Sequence, residues 1–247
     1  MKVSGILIVL LAILLFSVKL IIDKPLPKGV EGDKAEAIAK NMLAAINHKA
    51  WQKTGAVSWT YGGRHTIIWD KKRNYAKVSW GSKTALINCE NGNGIAFIDG
   101  EPVIDDEKNK ICEKAHFFWA NDSYWLNPVS KIFDEGVTRI LVEGKDLNGL
   151  LVSYSTGGFT PGDSYLWELD ENGLPKAWYM WVSIIPINGF KATWEGWVKT
   201  ETGVMISTRH KLGPMTVEIS DLRTAKTLKT LTKGEDIFEM MLSDKAL

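Results

Sequence analysis

The sequence predicts a mainly β protein with helices, built on one large curved antiparallel sheet. About a dozen short segments alternate apolar and polar residues with the period of two that is typical of half-buried strands. The chain contains 11 tryptophans, more than its 8 phenylalanines or 6 tyrosines, and most lie in those segments. So many strands in one run favour an incomplete β-barrel covered by helices. A β-sandwich is the alternative, and it would bury the same residues without leaving a cavity.

Residues 1–22 are predicted to form a signal anchor or transmembrane helix that precedes this sheet. Lys2 is followed by an apolar run that extends to Ile22, and about 20 such residues suffice to cross a bilayer. No small-x-small cleavage site follows the run, and no cysteine follows it for lipid attachment. We therefore favour an uncleaved anchor over a cleaved signal peptide. Pro25 and Pro27 separate the anchor from the rest of the chain and predict a linker over residues 23–32.

The orientation of this anchor has two interpretations. Lys19 interrupts the apolar run near its end, Lys24 and Lys28 follow the run, and only Lys2 precedes it. A literal count of positive charges therefore retains the main domain in the cytoplasm. A short basic start before an apolar stretch, however, has the form of an export signal.

Charge and cysteine usage restrict the partners. With 30 basic and 29 acidic residues, the chain has no basic surplus, and we predict no nucleic-acid partner. Cys89 and Cys112 are too few for a disulfide framework, although a bridge between them is possible in an exported domain. They lack the CxxC spacing of a zinc site.

Residues 33–247 are predicted to form a single β-rich domain. A helix is expected from Asp33 to about His48, because its apolar residues fall on one stripe of a 3.6-residue period. A helical insertion is expected over residues 113–133, where it would supply a lid, and a short helix over residues 236–242. The predicted strands are 57–61, 64–69, 75–80, 84–89, 94–98, 137–142, 150–154, 164–169, 176–182, 191–198, 204–212 and 215–221.

No catalytic motif is present in the sequence. Four histidines are scattered singly, without HxH or HExxH spacing, and no G-x-S-x-G elbow occurs. The glycine-rich stretch 157–163 lacks the Lys-Ser/Thr of a phosphate loop and precedes a strand, so it is interpreted as a structural loop. We predict no enzymatic activity, no cofactor and no metal. A hydrolase would require histidine and carboxylate side chains to converge in one cleft.

The aromatic side chains therefore carry the functional prediction. The strand at 176–182 is apolar on both faces, with Trp178 on one and Trp181 on the other, and the strand at 191–198 places Trp194 and Trp197 on opposite faces. Two or three helices cannot cover this much aromatic surface, which indicates a lined pocket for an apolar ligand. Ordinary core packing is the alternative. The predicted lining residues are Trp59, Trp69, Trp80, Trp119, Trp167 and Trp178.

The order of these elements resembles the lipoprotein-carrier superfamily of bacterial envelopes, which includes the periplasmic lipoprotein chaperone and its outer-membrane receptor. The resemblance covers about residues 33–222 and rests on element order and on the helix at 35–46 that leads into Trp51 and Trp59. Segments 157–163, 164–170 and 178–182 are similar to those of envelope proteins of this group. The resemblance implies an incomplete barrel whose apolar concave face is closed by helices and holds acyl chains.

The chain departs from that group because it has a predicted membrane anchor without a lipidation cysteine. This departure favours a fixed receptor or tethered domain over a freely diffusing carrier. We therefore predict a single-pass protein of the cell membrane whose main domain is periplasmic or extracellular. It would bind a lipid, an acyl chain or a lipidated protein non-covalently in an aromatic-lined cavity. The alternative is a non-catalytic scaffold or protein-interaction β-domain with a solid aromatic core, and the oligomeric state is left open.

Overall fold

The computed structural model describes residues 23–156 and 160–242. The anchor predicted at 1–22 and part of the glycine-rich loop at 157–163 lie outside the described residues. Among the helices of the described part, none has both the length and the apolar character that a membrane span needs.

Fourteen strands of the described residues form one antiparallel sheet that is not closed into a barrel. Their order across the sheet is β6-β5-β4-β3-β2-β1-β14-β13-β11-β10-β9-β8-β7, and β12 pairs with β13 beside this path. The predictions of a mainly β chain and of a large open antiparallel sheet are therefore confirmed. The strands are β1 (Ala56–Tyr61), β2 (His65–Asp70), β3 (Tyr75–Trp80), β4 (Lys83–Asn88), β5 (Gly94–Ile98), β6 (Glu101–Val103), β7 (Val137–Glu143), β8 (Asn148–Tyr154), β9 (Ser164–Leu169), β10 (Pro175–Trp181), β11 (Phe190–Thr193), β12 (Glu195–Lys199), β13 (Met205–Leu212) and β14 (Met215–Ala225).

Four α-helices accompany the sheet in the described part: α1 (Asp33–Ala45), α2 (His48–Lys53), α3 (Asp105–Leu126) and α4 (Leu228–Leu231). The helix predicted to reach His48 ends at Ala45, because Asn47 adopts the left-handed conformation with φ 54° and a second helix follows. The insertion begins eight residues earlier than predicted. Its first turns are acidic and basic rather than apolar, so the period of 3.6 is absent there. Pro128–Lys131 and Glu239–Leu242 are short 3₁₀ helices, and the latter replaces the helix predicted at 236–242.

One face of the sheet carries α1 and α3, and two clusters of buried side chains lie beneath them. Helix α1 contacts β7 and β8, whereas α3 contacts β3, β4 and β5. The Trp178 cluster is defined by Ala39, Met42, Leu150, Val152, Tyr165, Trp167, Trp178, Met180, Val182 and Trp194, with Trp197 and with Tyr124 and Trp125 of α3 packed against it. The Trp59 cluster is defined by Trp51, Val57, Trp59, Ile67, Val78, Ile87, Cys89, Ile111, Cys112 and Leu126.

The opposite face is covered by the two ends of the described chain. Phe238 and the residues of α4 pack against the outer side of β1, β4 and β14. Arg73 fixes this C-terminal segment, because its guanidinium donates to Asp70 at 2.7 Å and to both oxygens of Asp236 at 2.8 Å. On the half of this face that contains β10, the indole Nε1 of Trp181 donates to the carbonyl oxygen of Lys24 at 2.7 Å. Both faces of β10 are thereby buried.

Strand β10 is apolar on both faces, as predicted. Trp178, Met180 and Val182 belong to the Trp178 cluster, whereas Tyr179 and Trp181 belong to a separate cluster on the opposite face. The predicted linker follows that opposite face to the edge of the sheet, since Val30 forms a β-bridge with Leu141.

The prediction that Trp194 and Trp197 lie on opposite faces is wrong. The predicted strand 191–198 is split at Trp194 into β11 and β12, and Gly196 has a positive φ of 64°. A β-bulge inserts one extra residue into a strand and so moves the side chains that follow it to the other face. The break at Trp194 and Gly196 has the same effect. The two indole rings are therefore 6.2 Å apart and nearly parallel, and both pack in the Trp178 cluster.

The two cysteines lie near each other in the fold but are not joined. Cys89, just after β4, and Cys112, in α3, are buried free thiols of the Trp59 cluster. Burial raises the pKa of each thiol, which keeps both protonated at neutral pH.

Replacing Gly196 by alanine tests the split strand. A left-handed conformation costs an L-residue about 1–2 kcal/mol. A Cβ at Gly196 would also lie 2.7 Å from Oγ1 of Thr208, which donates to the Gly196 carbonyl oxygen. We expect Gly196→Ala to lower the free energy of unfolding by at least about 1 kcal/mol more than Gly63→Ala, because that hydrogen bond is lost as well. Gly63 is the matched control, with φ of 65° and open space around it. Equal losses in urea unfolding of the two variants would contradict the split.

Candidate functional site

The most concentrated set of aromatic side chains lies where the C-terminal end of α3 meets β8–β13. Trp167, Trp178 and Trp194 contact one another, with ring centroids 4.7, 4.9 and 5.3 Å apart. Trp125 extends from α3 onto this group and lies 4.9 Å from Trp178 in an edge-to-face arrangement. Such tilted and edge-to-face geometries are the favourable ones for aromatic rings. The indoles of the sheet and the indole of Trp125 in α3 therefore form one continuous group of rings in contact.

His210 completes this group from β13. Its imidazole is fully buried and lies 4.4 Å from Trp194 and 5.3 Å from Trp125. The Nδ1 atom is 3.1 Å from the carbonyl oxygen of Thr193, so Nδ1 carries the proton and donates it. Burial lowers the pKa of His210 to about 4. The ring is therefore neutral at physiological pH, and Nε2 is a hydrogen-bond acceptor.

Several polar atoms of this group are buried without a hydrogen-bond partner. The three indole Nε1 atoms of Trp167, Trp178 and Trp194 are donors, and Nε2 of His210 is an acceptor. A buried polar atom without a partner costs about 1–3 kcal/mol. The three donors and the one acceptor therefore have hydrogen-bonding capacity that the described residues do not satisfy.

A group of tyrosines borders the same aromatic group. The rings of Tyr124, Tyr154 and Tyr165 have centroids 5.3 to 5.9 Å apart. Tyr165 donates its hydroxyl to Oδ2 of the buried Asp163 at 3.4 Å. Burial raises the pKa of all three phenols above the ordinary value, so they are neutral donors at neutral pH. The polar border of the group thus lies at the end of β8 and the start of β9.

The six tryptophans predicted to line one cavity are divided between two clusters. Trp167 and Trp178 belong to the Trp178 cluster. Trp59, Trp69, Trp80 and Trp119 belong to the Trp59 cluster or pack against it, together with Trp51. Of these, Trp59, Trp167 and Trp178 are fully buried, whereas Trp69, Trp80 and Trp119 are half-buried. Sequence reasoning missed Trp125 and His210 as members of the candidate site, because α3 and β13 meet β10 only in the tertiary structure.

Surface depressions lie elsewhere. One, of about 340 Å³, lies between α1 and the β9–β10 turn, and its lining includes Asn41 and Gly173. Another, of about 260 Å³, lies beside α2, and its lining includes Thr202 and Lys226. Neither is lined by any of the six tryptophans.

A histidine–carboxylate pair lies at the other half of the sheet, although the four histidines are isolated in the sequence. Nδ1 of His65 is 2.8 Å from Oδ2 of the fully buried Asp122, and Asn121 donates to Oδ1 at 2.9 Å. Burial raises the pKa of Asp122. Phe118 stacks on the imidazole at 3.7 Å. A histidine oriented by a buried carboxylate can act as a base, yet the hydrogen bonds of this pair within the described residues include no serine, threonine or cysteine side chain.

The described part of the chain brings no three histidine, cysteine, aspartate or glutamate side chains into a group that could hold a metal ion. The chain matches no model of a known protein family and no curated protein sequence. The resemblance to the lipoprotein-carrier superfamily therefore stays a prediction from the sequence.

The buried His210 predicts how stability depends on pH. In the unfolded chain the imidazole takes up a proton near its ordinary pKa of 6.5, whereas in the folded chain it does so only near 4. The unfolded state therefore binds more protons between these values, and stability falls as the pH falls. Between pH 7.5 and 4.5, we expect the free energy of unfolding to fall by roughly 2–3 kcal/mol less in His210→Gln than in the wild-type protein. Identical pH profiles for the two proteins in urea unfolding would contradict this, because they would show that His210 takes up its proton at the same pH in the folded and unfolded chain.

Proposed function

We propose that this protein is a membrane-anchored envelope protein that binds a lipid, an acyl chain or a lipidated protein non-covalently. The binding surface is the helix-bearing face of the sheet, at the Trp178 cluster and His210. The observation that carries this proposal is the set of unpartnered indole donors buried among aromatic rings. The likeness of the element order to lipoprotein carriers supports the same ligand class.

The chemistry of the cluster suits an acyl ester or acid. Indole rings provide apolar surface for a hydrocarbon chain, and each indole carries one N–H that needs an acceptor. An ester, amide or carboxyl oxygen is such an acceptor, and it would satisfy the donors of Trp167, Trp178 or Trp194. A pure hydrocarbon would leave them unpartnered. The ligand therefore combines a chain with at least one oxygen acceptor.

Entry of a ligand requires α3 to move. Ring contacts of 4.9 Å between Trp125 and Trp178 leave no space for a hydrocarbon chain between helix and sheet. We therefore assign the described arrangement to the closed state, in which the aromatic side chains of α3 occupy the position of the ligand. Separation of the end of α3 from β10 and β13 would expose the indoles and His210 together. A ligand that binds only the open state would shift the population towards it.

The second candidate is a non-catalytic scaffold or protein-interaction domain with a solid aromatic core. It is favoured by the complete burial of Trp59, Trp167 and Trp178 and by the position of the surface depressions away from them. In this case the rings serve stability alone, and partners would bind exposed strands and loops.

Lipid binding is tested on the full-length protein. Native mass spectrometry of protein purified from membranes is expected to detect retained lipid. Brominated fatty acids are expected to quench tryptophan fluorescence in a saturable way. If no lipid is retained and no quenching occurs, the lipid proposal is wrong and the scaffold candidate stands.

The matched variants Trp178→Phe and Trp59→Phe locate the site. Both tryptophans are fully buried with unpartnered Nε1 atoms, but they lie in different clusters. Loss of one hydrogen bond to the ligand costs about 1.4 kcal/mol, so Trp178→Phe is expected to weaken fatty-acid binding about tenfold. Trp59→Phe is expected to leave the affinity unchanged. Equal effects of the two substitutions would place the ligand elsewhere.

A further inference from the structure

The loop between β10 and β11 is apolar and exposed. Residues 183–189 read Ser-Ile-Ile-Pro-Ile-Asn-Gly and include no charged side chain. Ile184 is 65% exposed, Pro186 is exposed and Ile187 is half-buried. Isolated exposed apolar residues are ordinary, but several at the tip of one loop indicate contact with another apolar phase.

This loop is bound to the first residues of the described chain. The backbone N–H of Asn188 donates to Oδ1 of Asp23 at 2.8 Å, and its side chain donates to Oδ2 at 3.3 Å. The N–H of Lys24 donates to the carbonyl oxygen of Asn188 at 3.0 Å. Asp23 directly follows residue 22, the last residue of the predicted anchor. Any bilayer that holds residues 1–22 therefore has its surface within a few ångströms of this loop.

Aromatic and cationic side chains pack together at the base of the loop. Trp181 donates its indole N–H to the Lys24 carbonyl oxygen at 2.7 Å. The ammonium groups of Lys24 and Lys191 lie 4.5 and 4.8 Å from the centroid of the Tyr179 ring. Both aromatic rings are buried, and Lys191 also forms an ion pair with Glu168 at 2.7 Å, so Lys24 is the cation that an anionic headgroup would meet. Apolar residues at the tip thus adjoin a cationic residue at the base, in the order in which a bilayer surface would meet them.

We propose that residues 183–189 insert into the surface of the bilayer that holds the anchor, as a second membrane contact of this chain. This inference rests on the membrane anchoring included in the proposed function. Two separate contacts with the bilayer fix the orientation of the sheet relative to the membrane surface. Trp178 precedes Trp181 by three residues of the same strand, about 10 Å at 3.3 Å per residue. The loop therefore holds the Trp178 cluster close to the lipid surface.

The test uses the full-length chain in vesicles of phosphatidylcholine and phosphatidylglycerol. An environment-sensitive fluorophore is attached at Ile184→Cys, or at Ile104→Cys as the matched control. Ile104 is an equally apolar residue that is 73% exposed, at the opposite edge of the sheet where β6 meets α3. The native thiols Cys89 and Cys112 are buried, which limits background labelling.

We expect the fluorophore at position 184 to shift to the blue and to be quenched at least twofold by lipids brominated near the headgroup. The fluorophore at position 104 should show the spectrum of a water-exposed probe and no such quenching. Equal spectra at the two positions, in vesicles that carry the inserted chain, would overturn the loop contact. A shielded probe at 184 that is not quenched by lipid and that cross-links to a second copy would overturn it in favour of an interface between copies.

Flotation separates the failure of this inference from that of the proposed anchoring. Wild-type protein is expected to float with the vesicles after extraction at alkaline pH, because a spanning helix is not released. If it does not float, the anchoring and the loop contact are both wrong. A second fluorophore, attached at Ile187→Cys, is compared with and without the substitution Ile184→Asp. If the wild-type protein floats but this substitution leaves the signal at position 187 unchanged, only the loop contact is wrong.

Discussion

The sheet carries apolar side chains on both of its faces, and the need to cover both faces places every other element of the described chain. Helices α1 and α3 cover one face, and the segment around α4 and Phe238 covers half of the other. Residues 23–30 lie against the remaining half, through Trp181 and the bridge of Val30 to Leu141. Apolar burial contributes about 25 cal/mol per Å², so strands with apolar residues on both faces are stabilised when both faces are covered. A chain segment predicted as a linker is thereby held against the sheet, while its own side chains are half-buried or exposed.

The two faces are covered with different chemistry. Beneath α4 the side chains are aliphatic or phenyl rings without unpartnered polar atoms, and Arg73 closes that side with ion pairs. Beneath α3 the side chains are indoles and an imidazole, several of which have unpartnered polar atoms. Phenylalanine or leucine at these positions would avoid that cost, because neither side chain carries a polar atom. The cost is offset if a ligand or an internal water supplies acceptors in another state of the molecule.

Strand β10 joins the two proposed contacts of the chain with lipid. Its residues alternate between the Trp178 cluster and the outer face, and its C-terminal end leads into the apolar loop that is bound to Asp23. A single strand thus connects the candidate ligand site, the buried aromatic residues of the outer face and the start of the described chain. A tethered protein that takes lipid from a bilayer, or delivers lipid to it, requires this proximity.

The sequence by itself determined the class of the fold and the position of most elements. Alternation with a period of two is local, so it located β3, β5 and β9 to the residue and showed that β10 is buried on both faces. Turn residues and the change to a period of 3.6 located α1 and part of α3. Charged residues at the start of α3 and the bulge at Gly196 disturb these periods, and there the predictions were displaced or wrong.

Only the tertiary structure decided which strands lie side by side and which aromatic residues meet. The pairing of β1 with β14, and of β12 with β13 beside the main path, uses backbone hydrogen bonds that any residue can make, so no residue type marks it. The same is true of His65 with Asp122, and of Trp125 with His210, which are distant in sequence. The division of the six tryptophans into two clusters follows from this order of strands. Local patterns report which side of a strand is buried, whereas a site depends on which strands become neighbours.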